Sequence, residues 1–215
     1  MKKNLLLILL FAIGTITVSN AQMTVKYGPE LGVHLSKSNV EDTDETESKA
    51  IIGQKIGVLA EMKFGKILAI QPGLFYNSVG YKISSDDIGL LSGSSFKTTF
   101  SNITLPIYIN AEFGGDTKFF VGVGPEFNFI AGGKYSGQVL GVDFDDEKID
   151  FDEDDINRFY MSANINLGLK FNDRLQFRLN YNLGLTGLTE GDDASDTDPL
   201  KLGNYGVSVA YLFGN

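Results

Sequence analysis

The chain has 215 residues, with 18 Lys and Arg against 27 Asp and Glu, a net charge of −9, 25 Gly, no Cys and no Trp. Without cysteine it has no disulfide, no thiol nucleophile and no thiolate metal site. The acidic balance repels the phosphates of nucleic acid and argues against binding it.

The N-terminus reads as a secretory signal peptide. Lys2 and Lys3 supply the charged start, Leu5 to Ile13 the apolar run, and Ser19, Asn20 and Ala21 a small-residue cleavage site. The expected organisation is a signal peptide over 1–21 and one domain over 22–215. Loss of Lys2 and Lys3 lowers the net charge to −11. No later segment is long and apolar enough for a spanning helix, whereas spanning strands leave a much weaker signal in hydropathy.

From there the chain alternates apolar and polar residues, and side chains of a strand point to opposite faces with period two. Strands are predicted at about 24–36, 51–64, 67–82, 97–113, 118–130, 159–171, 175–187 and 202–213. Every second residue in 27–35, 56–64, 68–76, 103–113, 119–129, 161–171, 175–185 and 205–213 forms one stripe. No stripe position is Asp, Glu, Lys or Arg, while the opposite face collects charges, Gly and Asn. Joins at one end are short: Gly65-Lys66, Gly114 to Thr117 and Asn172 to Arg174. Those at the other end are long, at about 37–50, 83–96, 131–158 and 188–201. Short turns at one end and long loops at the other suit an outer-membrane barrel.

Alternation leaves two ways to place the faces. An exported lipocalin-like carrier would turn the apolar face inward around a small apolar ligand. An eight-stranded barrel, however, has an interior just wide enough for side chains to fill. Gly28, Gly32, Gly57, Gly122, Gly124, Asn164, Asn180 and Ser208 fit that space, and the bulky Leu, Ile, Phe and Tyr of the other face do not. The expected fold is therefore all-β: a closed, eight-stranded, antiparallel up-and-down transmembrane barrel. Tyr27, Phe64, Phe113, Phe119, Phe171, Phe177 and Phe213 gather near the short-turn end, as an interfacial girdle would.

Acidic residues concentrate in the long joins: Glu41, Asp42, Asp44, Glu45 and Glu47; Asp86 and Asp87; nine within 143–155; and five within 190–198. Mutual repulsion should keep such loops extended and solvated. Carboxylates also attract hard cations, which makes Asp152, Asp154, Asp155, Asp192, Asp196 and Asp198 candidates for weak surface Ca²⁺ or Mg²⁺. Their spacing lacks the glycine and closing Glu of a calcium loop, so no dedicated metal site and no cofactor is expected.

With the polar face inward, Glu30, His34, Lys55, Glu61, Glu126 and Arg178 lie in the lumen. Buried charge is tolerated when paired, so Arg178 should pair with Glu30 or Glu61, and the ion network should plug the barrel. His34, the single histidine, shares a face with Ser36. Nothing supplies an oxyanion site or a Gly-x-Ser-x-Gly elbow, and the sequence reads as non-enzymatic.

Ile103-Thr104-Leu105-Pro106-Ile107-Tyr108-Ile109 resembles a strand of the PorT-type outer-membrane β-barrel proteins of the Bacteroidota, with Thr104 where an acidic or polar residue is usual. Phe120 to Pro125, Asn166 to Leu169 and Tyr181 to Thr186 are similar to later strands of that family. The resemblance implies the same small membrane barrel and contributes no catalytic residue. A few of its members act in secretion and gliding, so it also allows a role as a component of such machinery. The implied partners are outer-membrane lipid and lipopolysaccharide, the barrel assembly machinery, and other envelope proteins. Phe213 supplies the terminal aromatic that assembly machinery commonly reads, with Gly214-Asn215 trailing it. The expected role is structural, adhesive or interactive, through acidic outer loops, and not that of a general porin.

Overall fold

The computed structural model describes residues 24–39, 47–85, 94–139, 142–151, 156–188 and 199–214. The expected signal peptide lies outside them. Nine strands are present among the described residues: β1 (Thr24–Ser38), β2 (Glu47–Phe64), β3 (Leu68–Ser85), β4 (Ser94–Gly114), β5 (Thr117–Val139), β6 (Val142–Lys148), β7 (Phe159–Phe171), β8 (Leu175–Gly184) and β9 (Leu202–Tyr211). Hydrogen bonding runs β4-β3-β2-β1-β9-β8-β7-β5, and β4 also pairs with β5. Every pairing among the described strands is antiparallel, and eight strands thus close on themselves as a barrel. Hydrocarbon offers a backbone N–H or C=O no partner, so only a sheet without free edges is stable there.

The faces follow the alternation. Leu31, Val33, Val58, Ile165, Leu179 and Val207 are exposed on the outside, while Glu30, Glu61, Lys170 and Arg178 are almost wholly buried inside. That arrangement is the opposite of a lipocalin's, and the carrier alternative falls with it. Aromatic side chains ring the outside twice. Tyr27, Phe113, Phe119, Phe177 and Phe213 are exposed near the short turns, and Tyr76, Phe129, Phe159, Tyr181 and Tyr205 form a second belt toward the long loops that the sequence reading missed. On β3 the nine residues from Leu68 to Tyr76, tilted about 40°, span roughly 20 Å, close to the height of the apolar band.

Two expectations need correction. The strands continue past the membrane: β2 starts at Glu47, β3 ends at Ser85, β4 starts at Ser94 and β5 reaches Val139. The expected third loop, 131–158, contains much of the β5–β6 hairpin, with Lys134↔Lys148 and Val139↔Val142 as partners. Thr98, Thr99, Tyr135, Val142 and Phe144 favour strand, and neighbouring carboxylates do not cancel that preference once a partner strand is in place. At the other end, the turn after β7 is tighter than expected. Asn172 and Asp173 both have positive φ (49° and 56°), and Arg174 N donates to Phe171 O at 2.9 Å. This is the geometry of a two-residue type I′ hairpin.

Closure depends on β1 meeting β9, from Glu30↔Ala210 to Ser38↔Leu202, with Tyr27 and Phe213 exchanging backbone hydrogen bonds of 2.9 and 2.7 Å below. Leu31, paired with Val209 on this seam, faces lipid. Leu31→Arg is expected to destabilise the barrel by about 2–4 kcal/mol, measured as the urea midpoint of protein folded into lipid vesicles.

Candidate functional site

The lumen holds a continuous polar network that begins at the short turns. The type I′ turn directs Asp173 at the barrel floor, where Lys118 Nζ lies 2.5 Å and Lys63 Nζ 3.2 Å from Oδ1, and Lys26 Nζ donates to the Asp173 carbonyl at 3.0 Å. Lys63 also reaches Glu112 Oε2 at 3.0 Å. Above it Lys170, fully buried, is held between Glu61 and Glu112. Gln71 Nε2 donates to Glu61 at 2.5 Å, and Arg178 donates to the Gln71 amide oxygen.

Arg178 Nη1 lies 3.2 Å from Glu30 Oε2, and Lys55 Nζ lies 2.6 Å from Glu30 Oε1. Arg178 therefore takes Glu30, one of its two expected partners, while Glu61 goes to Lys170. Tyr108 joins this layer to the next: its ring lies 4.8 Å below the Arg178 guanidinium carbon, and its hydroxyl donates to Glu126 at 2.6 Å. Glu126 accepts in turn from Ser162 Oγ at 3.5 Å. Asn77, Thr104 and Asn128 extend the hydrogen bonding around the wall.

Six cationic and five anionic side chains thus occupy one small interior. A buried charge is stable only if paired, and here each ion meets an opposite charge or a polar dipole. Lys170, Glu112, Lys63, Lys26, Lys118 and Asp173 were not among the residues singled out from sequence. Their inward parity marked them: each lies on the polar face of its strand or in the turn that caps the floor.

The interior also holds large rings beside its small residues and ion pairs. Phe75, Tyr108 and Phe120 are buried in it. Glycines face them: a Cβ on Gly57 would lie 2.6 Å from the Phe75 ring, and one on Gly168 2.5 Å from the Phe120 ring. Large and small alternate to fill the cylinder.

His34 has a local structural role. β2 carries one extra residue between Ala50 and Lys55, which removes the β2 partners of Ser78 to Gly80. His34 Nε2 donates to Ser78 O at 2.9 Å, and Ser36 Oγ accepts from Gly80 N at 3.0 Å. Because a carbonyl only accepts, Nε2 carries the ring proton. Gly53 leaves room for the ring, since a Cβ there would lie 2.4 Å from Nε2. His34 and Ser36 are not hydrogen-bonded to each other; each serves backbone exposed by the bulge.

The outer mouth is closed differently. Val79, Phe100, Ile130, Tyr160 and Leu202 face inward from the barrel, and Ile149, Phe151 and Leu188 fold over them into one buried cluster. Backbone bonds fasten this cap: Ile149 N to Gly133 O at 3.1 Å, Asn157 N to Leu188 O at 2.7 Å and Leu188 N to Leu200 O at 2.7 Å. The expected solvated loop is thus folded inward where its sequence is apolar. This cluster meets water, so each buried Ile, Phe or Leu contributes about 1.5–3 kcal/mol, which lipid-facing residues cannot do against hydrocarbon of equal apolarity. Between the cap and the charged layers, a polar cavity of about 10 Å³ lined by His34, Lys55, Asn180 and Ser208 has room for about one water. The cation candidates Asp152, Asp154, Asp155, Asp192, Asp196 and Asp198 lie outside the described residues.

A closed barrel with an apolar exterior and a charged, filled interior defines an integral outer-membrane protein. The chain belongs to the outer membrane protein beta-barrel domain family, whose model matches residues 20–190. Among solved structures it is similar to Ail, the attachment invasion locus protein of Yersinia pestis, at 12% identity over 88% of this chain and 99% of that one, with a TM-score of 0.44. It is also similar to OprG of Pseudomonas aeruginosa, at 12% identity over 90% and 96% with a TM-score of 0.41. Neisserial surface protein A matches at 10% identity over 87% and 97%, also at 0.41. No curated protein matches the chain.

Lys170→Met would leave Glu61 and Glu112 buried without their cation and is expected to cost about 3–5 kcal/mol. A triple variant that also carries Glu61→Gln and Glu112→Gln should recover much of that loss, read as the temperature at which unboiled protein loses its compact gel mobility.

Burial opposes ionisation of Asp173, yet the hydrogen bonds from Lys118 and Lys63 outweigh it and hold the carboxyl at about 2, below its ordinary 3.8. A depressed carboxyl stabilises the fold above its unfolded value and loses that contribution as pH falls. Stability should therefore decline from about pH 4 toward pH 2, and Asp173→Asn should flatten this part of the profile in urea titrations.

Proposed function

We propose that the protein is a sealed outer-membrane scaffold whose work is done at its outer surface, as a structural or adhesive element, and not as a porin or an enzyme. The observation that carries this reading is the double closure of the lumen. Charged layers built on Lys170 and Arg178 fill the lower half, and the Ile149–Phe151–Leu188 cap covers the mouth. A pore needs a continuous aqueous path, and an eight-stranded lumen filled in this way leaves none. An enzyme of the His34 kind would need its ring free to accept a proton from a nucleophile. The ring instead donates to a backbone carbonyl beside a bulge.

The cap bears on the outward role as well. It fastens Ile149 and Phe151, which follow β6, to the barrel mouth. Such a platform suits contact with other envelope components or with a surface outside the cell. The sequence similarity of 103–109 to PorT-type strands supports membership in that branch of small barrels.

Purified protein in planar bilayers should show no discrete conductance steps. The variant Ile149→Ser/Phe151→Ser/Leu188→Ser should remain silent too, because the charged layers persist beneath the cap. Steps of porin size from the wild type would refute the reading. Replacing 140–155 by a short turn should keep the heat-dependent gel shift of a folded barrel while removing surface adherence and crosslinks to envelope proteins. Unchanged adherence and crosslinks would place the function elsewhere.

A further inference from the structure

The apolar outer wall carries a recess of about 520 Å³, lined by Tyr27, Pro29, Val58, Ala60, Pro72 and Leu74. Its floor is low because Ala60 lies opposite Pro72, between the larger pairs Met62↔Ile70 below and Val58↔Leu74 above. Pro72 stands midway between Leu68 and Tyr76 on β3, so the recess opens at hydrocarbon depth.

The backbone at this recess is incomplete. Opposed residues of an antiparallel pair alternate between exchanging two hydrogen bonds and none, and proline has no N–H to give. The β2–β3 register omits Ala60 and Glu61 against Gln71 and Pro72, and resumes at Met62↔Ile70. The Ala60 carbonyl, directed at Pro72, therefore has no ladder partner. Pro106 has the same effect on the other side of β3, where the β3–β4 register omits Gly73 and Leu74 against Leu105 and Pro106. The carbonyls of Ala60 and Gly73 are thus left without a strand donor among the described residues, and both residues line the recess. On the lumen side, Glu61 and Gln71 stand fully buried behind the gap. Gln71 directs its amide nitrogen to Glu61 at 2.5 Å and to Gln176 at 3.4 Å, so it does not serve the carbonyls.

Acyl chains carry no hydrogen-bond donor. Unpaired backbone is tolerated at membrane depth only where protein or water covers it, and small residues let another protein approach closely. A suitable donor stands on the same wall. Tyr27 is the direct β1 partner of Ala60, and it is 64% exposed. Phe213 is bridged to Tyr27, and Tyr211 packs edge-on against Phe213 at a centroid distance of 4.9 Å, which builds a ridge beside the recess. A two-fold axis along the membrane normal keeps each residue at its own depth. Ridge and recess are adjacent, which gives the self-complementary patch that an isologous interface requires.

We propose that the barrel forms a two-fold dimer through this recess, with the Tyr27–Phe213 ridge of each copy seated over the recess of the other. The Tyr27 hydroxyl would donate to an unpartnered carbonyl across the interface. The dimer depends on neither the loops nor the cap, so it and the outward role can fail separately.

The chain has no cysteine, and Gly115, in a short turn facing open space, can be changed to Cys as a single labelling position. Purified protein carrying donor or acceptor dyes there is folded into phosphatidylcholine vesicles, and association is read by energy transfer as lipid dilutes the protein. Wild type should associate. Ala60→Leu fills the recess and should weaken association by about tenfold or more. Tyr27→Phe keeps the ring without the hydroxyl and should weaken it several-fold. Pro72→Ala returns an N–H to the ladder, so it should weaken association while raising the urea midpoint of the barrel. Leu167→Phe, on β7 across the ring from β2, should change neither. The heat-dependent gel shift of each variant confirms its fold. A monomeric wild type, or undiminished association in any of the three recess variants, overturns the proposal. So does a benzophenone at position 60 that crosslinks, in the native membrane, to a different envelope protein and not to a second copy.

Discussion

A strand that crosses hydrocarbon must give every backbone polar group to a neighbouring strand, and this requirement governs the molecule. It makes the β1–β9 seam as necessary as any hairpin, although the two strands lie at opposite ends of the described chain. Closure at eight strands then fixes a narrow interior, and the interior must be filled. The inward-facing residues answer that demand with ion pairs, amides and a few rings set against glycines. The bulge in β2 is one place where the ladder lapses inside this frame, and His34 and Ser36 complete it from β1.

Different forces hold the two halves of the barrel. In the lower half, burial of apolar surface contributes little, because lipid competes with protein for it on equal terms. Stability there comes from backbone pairing and from charges that cannot be separated without leaving one stranded in low dielectric. At the outer mouth, water returns and so does the hydrophobic effect. Ile149, Phe151 and Leu188 can close the top of the barrel because the solvent above them is water. One cylinder thus has a floor stabilised by electrostatics and a lid stabilised by burial, and both block the lumen.

The charges are layered in the same way. Inward lysines at the floor meet carboxylates of the protein itself. Nearer the mouth Glu126 meets a hydroxyl instead, from Tyr108.

Much of this was legible in the sequence. Period-two alternation is local, so the eight ring strands, their lipid-facing stripes and the inward position of Glu30, His34, Lys55, Glu61, Glu126 and Arg178 could be read residue by residue. The asymmetry of the joins gave the barrel its direction, and side-chain volume against an eight-stranded interior decided which face turned in. Partner choice was not legible. Whether Arg178 takes Glu30 or Glu61 depends on the stagger between strands distant in the chain, and Lys170 settles it by claiming Glu61. The β5–β6 hairpin was hidden because its carboxylates read as loop, and the cap because Ile149, Phe151 and Leu188 are isolated apolar residues in acidic surroundings. The sequence by itself determined the barrel, its faces and its place in the membrane, since these follow from local periodicity and volume. Tertiary structure alone decided which charges meet and what closes the mouth, because those depend on pairing between strands that the chain keeps far apart.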